Sequence, residues 1–154
     1  MNAAPRLTFD SNILIYAADR DAGARHELAQ ALVARAARAD CVLSVQALAE
    51  FFAVATRKSG VPVAGAIAFV EGWQALFRSV SATPATFAAA MAAVRDHQIS
   101  FWDAMLWAVA REEGCRYLLS EDFQSGRTLG GVTFIDPFGP RGLPAALERA
   151  LPRD

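Results

Sequence analysis

Short apolar, β-prone runs alternating with helix-patterned segments predict an α/β fold: a parallel sheet covered by helices on both faces. Two further observations sharpen that expectation. The first strand-like run ends in an acid, Asp10, followed by the small polar residues Ser11 and Asn12. Three more acids, Glu50, Asp103 and Asp122, fall at comparable strand ends and helix starts. At 154 residues a single core can bury most of the apolar surface, so one domain is expected.

Arg6 to Phe9 reads as the first strand, and Asn12 to Ala18 as a short helix. Asp19 to Gly23 is a polar break. Ala24 to Arg38 places Leu28, Ala31, Leu32 and Ala36 on one face and charge on the other, an amphipathic helix. Cys41 to Ser44 is the second strand. Val45 to Lys58 is helical, with Leu48, Phe51, Phe52, Val54 and Ala55 on its buried face, and Ser59-Gly60-Val61-Pro62 stops it. Val63 to Phe77 is the next helix, and Arg78 to Ser81 a weak third strand. Thr83-Pro84 supplies a capping hydroxyl and a first-turn proline for a helix running to about His97. Ile99 to Asp103 interrupts it, and Ala104 to Glu113 continues as a helix closed by Gly114. Arg116 to Ser120 is the fourth strand and Val132 to Ile135 the fifth, with a polar loop from Glu121 to Gly131 between them. The main body of the domain covers residues 1–138 and is followed by a tail, 139–154, belonging to the same unit and holding a possible helix at Leu143 to Leu151.

Composition limits the function classes. With 54% hydrophobic and 20% charged residues the chain is a packed globule, and disorder is excluded. That apolar share is high for a lone small domain and is accounted for by an exposed face used for association. Fifteen basic against 16 acidic residues give a net charge of −1, so nucleic acid would not be bound by bulk charge. A nucleic-acid role needs local basic patches, or a metal that turns an acidic pocket into a phosphate site. Cys41 and Cys115 are expected as buried thiols of a reducing cytosol, and two cysteines without local partners do not make a zinc site. The N-terminus has no signal-like pattern and no apolar run is long enough to span a membrane, so a soluble, cytoplasmic protein is expected.

Each of the four acids has a structural reading beside the functional one. Asp10 is a helix cap, Glu50 a helix-surface acid, Asp103 a first-turn acid favoured by the helix dipole, and Asp122 a turn residue. Taken singly, those readings suffice. They leave unexplained why all four occupy positions that a parallel fold gathers at one sheet edge, the edge where open α/β folds bind ligands. They also leave unexplained the apolar company of Asp103, beside Phe101, Trp102, Met105 and Leu106, since burying a carboxylate is costly. Hard cations such as Mg²⁺ and Mn²⁺ take carboxylate oxygens, and otherwise the clustered charges repel. His26 and His97 lie outside the acidic segments, and Gly130-Gly131 lacks a phosphate-loop or dinucleotide pattern.

Thr8-Phe9-Asp10-Ser11-Asn12, Ala49-Glu50-Phe51-Phe52, Phe101-Trp102-Asp103-Ala104 and Leu118-Leu119-Ser120-Glu121-Asp122-Phe123 together resemble the four motifs of PIN-domain nucleases. Within that family the chain is most similar to VapC-like toxins of bacterial type II toxin–antitoxin pairs. The resemblance spans residue 6 to about 138, including Ile135-Asp136-Pro137-Phe138. It implies a three-layer sandwich with a five-stranded parallel sheet. It implies a Mg²⁺- or Mn²⁺-dependent endoribonuclease with Asp10, Glu50, Asp103 and Asp122 as catalytic and metal-holding acids. It further implies Ser120 as a hydroxyl near the metal, Ser11 and Asn12 as polar support, and products with a 5′-phosphate and a 3′-hydroxyl. Glu121 is left out, because alternation along the strand end points it away from Ser120 and Asp122.

Arg57, Lys58 and Arg127 are candidate phosphate contacts or simply solvated charges. The resemblance also implies a homodimer and a cognate antitoxin that blocks the site. Phe69, Trp73, Leu76 and Phe77 either supply an interface or belong to the core. Three rivals stand beside the ribonuclease. A receiver-like Mg²⁺ module would want adjacent acids after the first strand and a late lysine, and Lys58 is the only lysine. A structure-specific DNA nuclease would want more acids and a helical arch. A binding-only relative would not need all four acids.

Overall fold

A computed structural model describes residues 3–58 and 60–153 of the chain. In order the elements are β1 (Leu7–Phe9), α1 (Ser11–Ala18), a 3-10 turn (Arg20–Ala22), α2 (Ala24–Ala36), β2 (Val42–Ser44), α3 (Val45–Arg57), α4 (Val63–Leu76) and β3 (Arg78–Val80). Then follow α5 (Pro84–His97), α6 (Phe101–Glu112), β4 (Tyr117–Leu119), β5 (Thr128–Leu129), β6 (Val132–Ile135) and α7 (Ala145–Ala150). The stop expected at Ser59 lies outside the described residues; Gly60, at φ +64°, follows α3.

The five strands expected from the sequence are present but fall in two sheets, a four-stranded one in the order β1-β4-β6-β5 and the parallel pair β2-β3. The arrangement departs from a continuous five-stranded ladder in two ways. Between β1 and β2 the ladder shrinks to one bridge, Leu7 to Cys41, with Leu7 N–H donating to the Asp40 carbonyl at 3.0 Å. One cause is chemical: the Thr8 hydroxyl donates to the Val42 carbonyl at 2.7 Å, taking an acceptor that a ladder N–H would use. In addition, part of the segment expected as a loop folds back as β5, pairing antiparallel with β6. Gly130 and Gly131, at φ +53° and +82°, form its two-residue turn, which needs positive φ at both positions.

β1, β2 and β4 are buried at every residue, as continuous apolar runs in a helix-covered parallel sheet should be. The α3 helix shows how sequence becomes packing. Ser44 caps it, accepting from Ala47 N–H at 3.0 Å. Its buried stripe is Ala47, Leu48, Phe51 and Ala55. Phe51 meets the Trp73 ring of α4 edge-on at 4.6 Å between centroids, and its full burial is worth about 1.5–3 kcal/mol. In α2 the buried face is Ala29, Leu32, Val33 and Ala36, so the expected stripe is turned: Leu28 and Ala31 are exposed.

Thr83 and Thr86 cap α5 reciprocally, with Pro84 in the first turn. Gln98, left-handed at φ +53°, ends that helix. α6 then starts at Phe101, two to three residues earlier than the sequence suggests, so Asp103 sits inside its first turn. Cys41 and Cys115 are buried free thiols, and burial pushes the Cys115 thiol up to about 12. Trp73 and Phe77 are core residues, whereas Phe69 and Leu76 are exposed. The tail carries α7, whose Leu147 is fully buried along with Leu151 after it. Among the described residues no helix is long and apolar enough to cross a membrane.

Candidate active site

Two of the four acids enter from the carboxyl ends of strands and two from helices. Asp10 follows β1 and caps α1, accepting from Ser11 N–H at 2.7 Å. Its own N–H reaches across to the Leu119 carbonyl of β4 at 2.9 Å, which brings the ends of β1 and β4 level. Ser120 and Asp122 leave β4 at that level, and Ser120 N–H is tied to Ile135 of β6 at 2.9 Å. Glu50 projects from α3, the helix that follows β2, and Asp103 from the first turn of α6.

A hydrogen-bond network joins three of these acids through small polar side chains. The fully buried Ser120 hydroxyl donates to Asp10 Oδ2 at 2.7 Å. Both its lone pairs are engaged, by Asn12 Nδ2 at 3.1 Å and Asp122 N–H at 3.1 Å. Asn12 Nδ2 also donates to Asp122 Oδ2 at 3.2 Å. On the other side of Asp10, Ser11 Oγ donates to Glu50 Oε2 at 2.9 Å and touches Asp10 Oδ1 at 3.4 Å. The polar support expected of Ser11, Asn12 and Ser120 thus sits between carboxylates and spaces them.

Electrostatics set Asp10 and Asp103 apart. Asp10 is buried, and burial pushes its carboxyl up to about 6 from an ordinary 3.8. Bonds from Ser120 and Ser11 oppose that rise, while the charges of Glu50 and Asp122 add to it. Burial likewise raises the half-buried Asp103, and Asp122 and Glu50 raise it further. Among the described residues, none of the four acids forms an ion pair with a lysine, arginine or histidine. A buried carboxylate is normally paired or bound to metal, so Asp10, buried among half-buried Glu50 and Asp103 and exposed Asp122, is short of positive charge.

The donor chemistry fits a divalent cation such as Mg²⁺ or Mn²⁺. Asn12 Oδ1, buried without a hydrogen-bond partner, is a further hard oxygen among them. The spacing is wider than chelation requires. Among the described residues, no three His, Cys, Asp or Glu side chains converge closely enough to hold one ion. Like-charge repulsion and the intervening hydroxyls hold the acids apart.

Two neighbours escaped the sequence reading. Gln46 Nε2 donates to Glu50 Oε1 at 3.0 Å and to the Trp102 carbonyl at 2.9 Å, linking α3 to the start of α6 beside Asp103. The i, i+4 spacing of Gln46 and Glu50 on a helix was the available signal. Trp102 itself is 62% exposed. Glu121 lies outside the network: Tyr16 hydroxyl donates to its Oε1 at 2.6 Å and Arg25 to its Oε2 at 2.8 Å. Arg127 is turned to the end of α5, donating to the His97 carbonyl at 3.0 Å, while Arg57 and Lys58 are exposed at the end of α3. His26 contacts the Tyr16 carbonyl at 2.9 Å, and His97 is exposed.

A strand-end acid network on a parallel sheet defines a class, and sequence comparison names it. The PIN domain family model matches residues 7–127, and the chain belongs to that family. Its fold is that of the VapC toxins. VapC20 of Mycobacterium tuberculosis, a toxin that cleaves the sarcin-ricin loop, is 22% identical, with a TM-score of 0.61 over 73% of this chain and 86% of that one. A toxin–antitoxin complex from Klebsiella pneumoniae gives 21% identity and a TM-score of 0.61, over 86% of this chain and 98% of the other. VapBC2 of Rickettsia felis, bound to a DNA fragment of its promoter, gives 12% identity and 0.62, over 84% and 96%. No curated protein matches by sequence.

Proposed function

We propose that this PIN-domain protein is a Mg²⁺- or Mn²⁺-dependent endoribonuclease and the toxin of a toxin–antitoxin pair, working in the cytoplasm. The observation that carries the reading is the unpaired acidic network at the carboxyl edge of the sheet, with Asp10 buried inside it. Asp10, Glu50, Asp103 and Asp122 would hold the cation. Bound there, it would supply charge neutralisation for the phosphate and an acidified water. The chain's own groups do the rest. Ser120 and Ser11 fix the two Asp10 oxygens, Asn12 orients Asp122, and Gln46 orients Glu50. Water attacks phosphorus, the bond to the 3′-oxygen breaks, and the products carry a 5′-phosphate and a 3′-hydroxyl.

The toxin role rests on the likeness in fold to VapC20 and to two toxin–antitoxin complexes. A cognate antitoxin and a second copy of the chain are the corresponding partners. Exposed Val63, Ile67, Phe69 and Leu76 on α4 offer apolar surface for such association.

The test is incubation of the purified protein, freed of co-purifying partner, with total bacterial RNA in EDTA, Mg²⁺ or Mn²⁺, alongside Asp10→Asn. Discrete metal-dependent cuts with 5′-phosphate ends, lost in the variant, are expected. Cleavage that survives EDTA or Asp10→Asn refutes the reading.

A further inference from the structure

We propose that Trp102 is the stacking platform of a nucleobase subsite, binding an unpaired base of single-stranded RNA beside the acidic network. The inference rests on the ribonuclease reading and goes beyond it by assigning a binding residue and the form of RNA it takes.

Trp102 directly precedes Asp103, and 62% of it is open to solvent at a helix start whose other face is packed. Core packing therefore does not explain a tryptophan here. Trp73 and Trp107, by contrast, are buried. The ring is braced where it stands. Phe101 meets it at 5.0 Å and 61°, Phe87 meets Phe101 edge-on at 6.1 Å, and Gln46 anchors the Trp102 carbonyl. A large aromatic face held rigid in water loses little entropy on binding a flat partner.

The cavity beside it is of matching shape and chemistry. Its volume is about 630 Å³, within the common range for small-ligand sites. Val45, Ala49, Met105 and Val109 give it an apolar lining, and Trp102 and Glu50 both border it. Glu50 is thus shared between the cavity and the acidic network. A strand whose phosphate sits at the acids must lay a neighbouring base along this continuation of the site. An apolar slot walled by an aromatic takes the π-face of a base, whereas its acidic edge repels free phosphate. Bases locked in a duplex cannot reach such a slot, while splayed bases stack on aromatics readily.

The experiment is a fluorescence and anisotropy titration of Asp10→Asn in Mg²⁺, using an unstructured 12-nucleotide RNA of mixed sequence. The comparison ligands are the same-length abasic ribose-phosphate chain and a 12-base-pair RNA duplex. Base-containing single strand should quench the exposed tryptophan and bind roughly 5- to 150-fold more tightly than the abasic chain, the worth of one base–aromatic stack. Adding Trp102→Ala should remove that advantage and leave abasic binding unchanged, and Trp102→Phe should restore part of it. Equal binding of abasic and base-containing strands, or full affinity in the alanine variant, overturns the proposal, as does equal quenching by duplex. Wild-type cleavage of total RNA, run in parallel, separates the two readings. Cleavage without base-dependent quenching sinks the platform alone. Base-dependent quenching with no cleavage in either metal sinks the nuclease and leaves the platform.

Discussion

Asp10→Asn should stabilise the metal-free protein at neutral pH while abolishing its activity. Asp10 is ordinarily half-protonated at 3.8, and in the fold at about 6. That difference means ionised Asp10 costs the folded state about 3 kcal/mol, at 1.36 kcal/mol per pH unit. Below 3.8 both states are protonated and the cost is absent. It grows as pH rises from 3.8 to 6 and is complete above 6. Asparagine removes it but brings a mismatch. Its new N–H₂ faces Ser120 Oγ, whose lone pairs are already taken by Asn12 and Asp122, a loss of about 1 kcal/mol. The variant should therefore be about 1 kcal/mol less stable than wild type at pH 3.5, and about 2 kcal/mol more stable at pH 7.5. At about 2–4 °C per kcal/mol for a domain of this size, the advantage at pH 7.5 is about 4–8 °C in Tm. The assay is thermal unfolding in EDTA across pH 3.5–8. A Tm difference that stays flat over that range refutes the electrostatic reasoning. Repeating the series in Mg²⁺ should raise the wild-type Tm and erase the variant's advantage, because a ligand bound only by the fold stabilises it.

Ser120→Ala removes a fully buried hydroxyl that serves Asp10, Asn12 and Asp122; a loss of about 1–3 kcal/mol in urea unfolding is expected, with RNA cleavage down at least ~10-fold through the misplaced acids. Gly130→Ala and Gly131→Ala both place alanine at positive φ, costing about 1–2 kcal/mol each. Gly130→Ala should cost more, since its added methyl would lie 3.0 Å from the Trp107 ring, while that of Gly131 meets open space; equal unfolding midpoints would contradict this. Thr83→Ala deletes the reciprocal cap of α5 and should cost about 1 kcal/mol by the same measurement. Phe51→Ala should cost about 3–5 kcal/mol, given its full burial against Trp73.

The sequence is most legible where a single local rule decides the outcome. Thr83-Pro84 and the β-prone, fully buried runs at Leu7–Phe9 and Tyr117–Leu119 read correctly because capping and double-sided burial act on adjacent residues. Leu28 and Ala31 were misplaced because α2 is mixed around its circumference, and packing against α1 picked its buried face. The β5–β6 hairpin hid in a polar loop, although its paired glycines carried the signal. The candidate acids could be named from position alone, but their spacing could not. It depends on Ser11, Asn12, Gln46 and Ser120 meeting across 39 to 110 residues of chain or one helical turn, which is a property of the fold.

The thin join between β1 and β2 has a mechanical meaning for that spacing. Asp10 and Asp122 stand on one side of it and Glu50 on the other. Where β1 meets β4 and β4 meets β6, full registers of paired residues resist any shift. At the join, strand pairing falls to the Leu7–Cys41 bridge, helped by the Thr8 hydroxyl and the Arg6–Asp40 ion pair. The pairing is continuous within each half and thin between them, like two plates sharing a narrow hinge. A cation drawn between Asp10 and Glu50 would replace the Ser11 bond to Glu50 and would load this join before the fully paired strands.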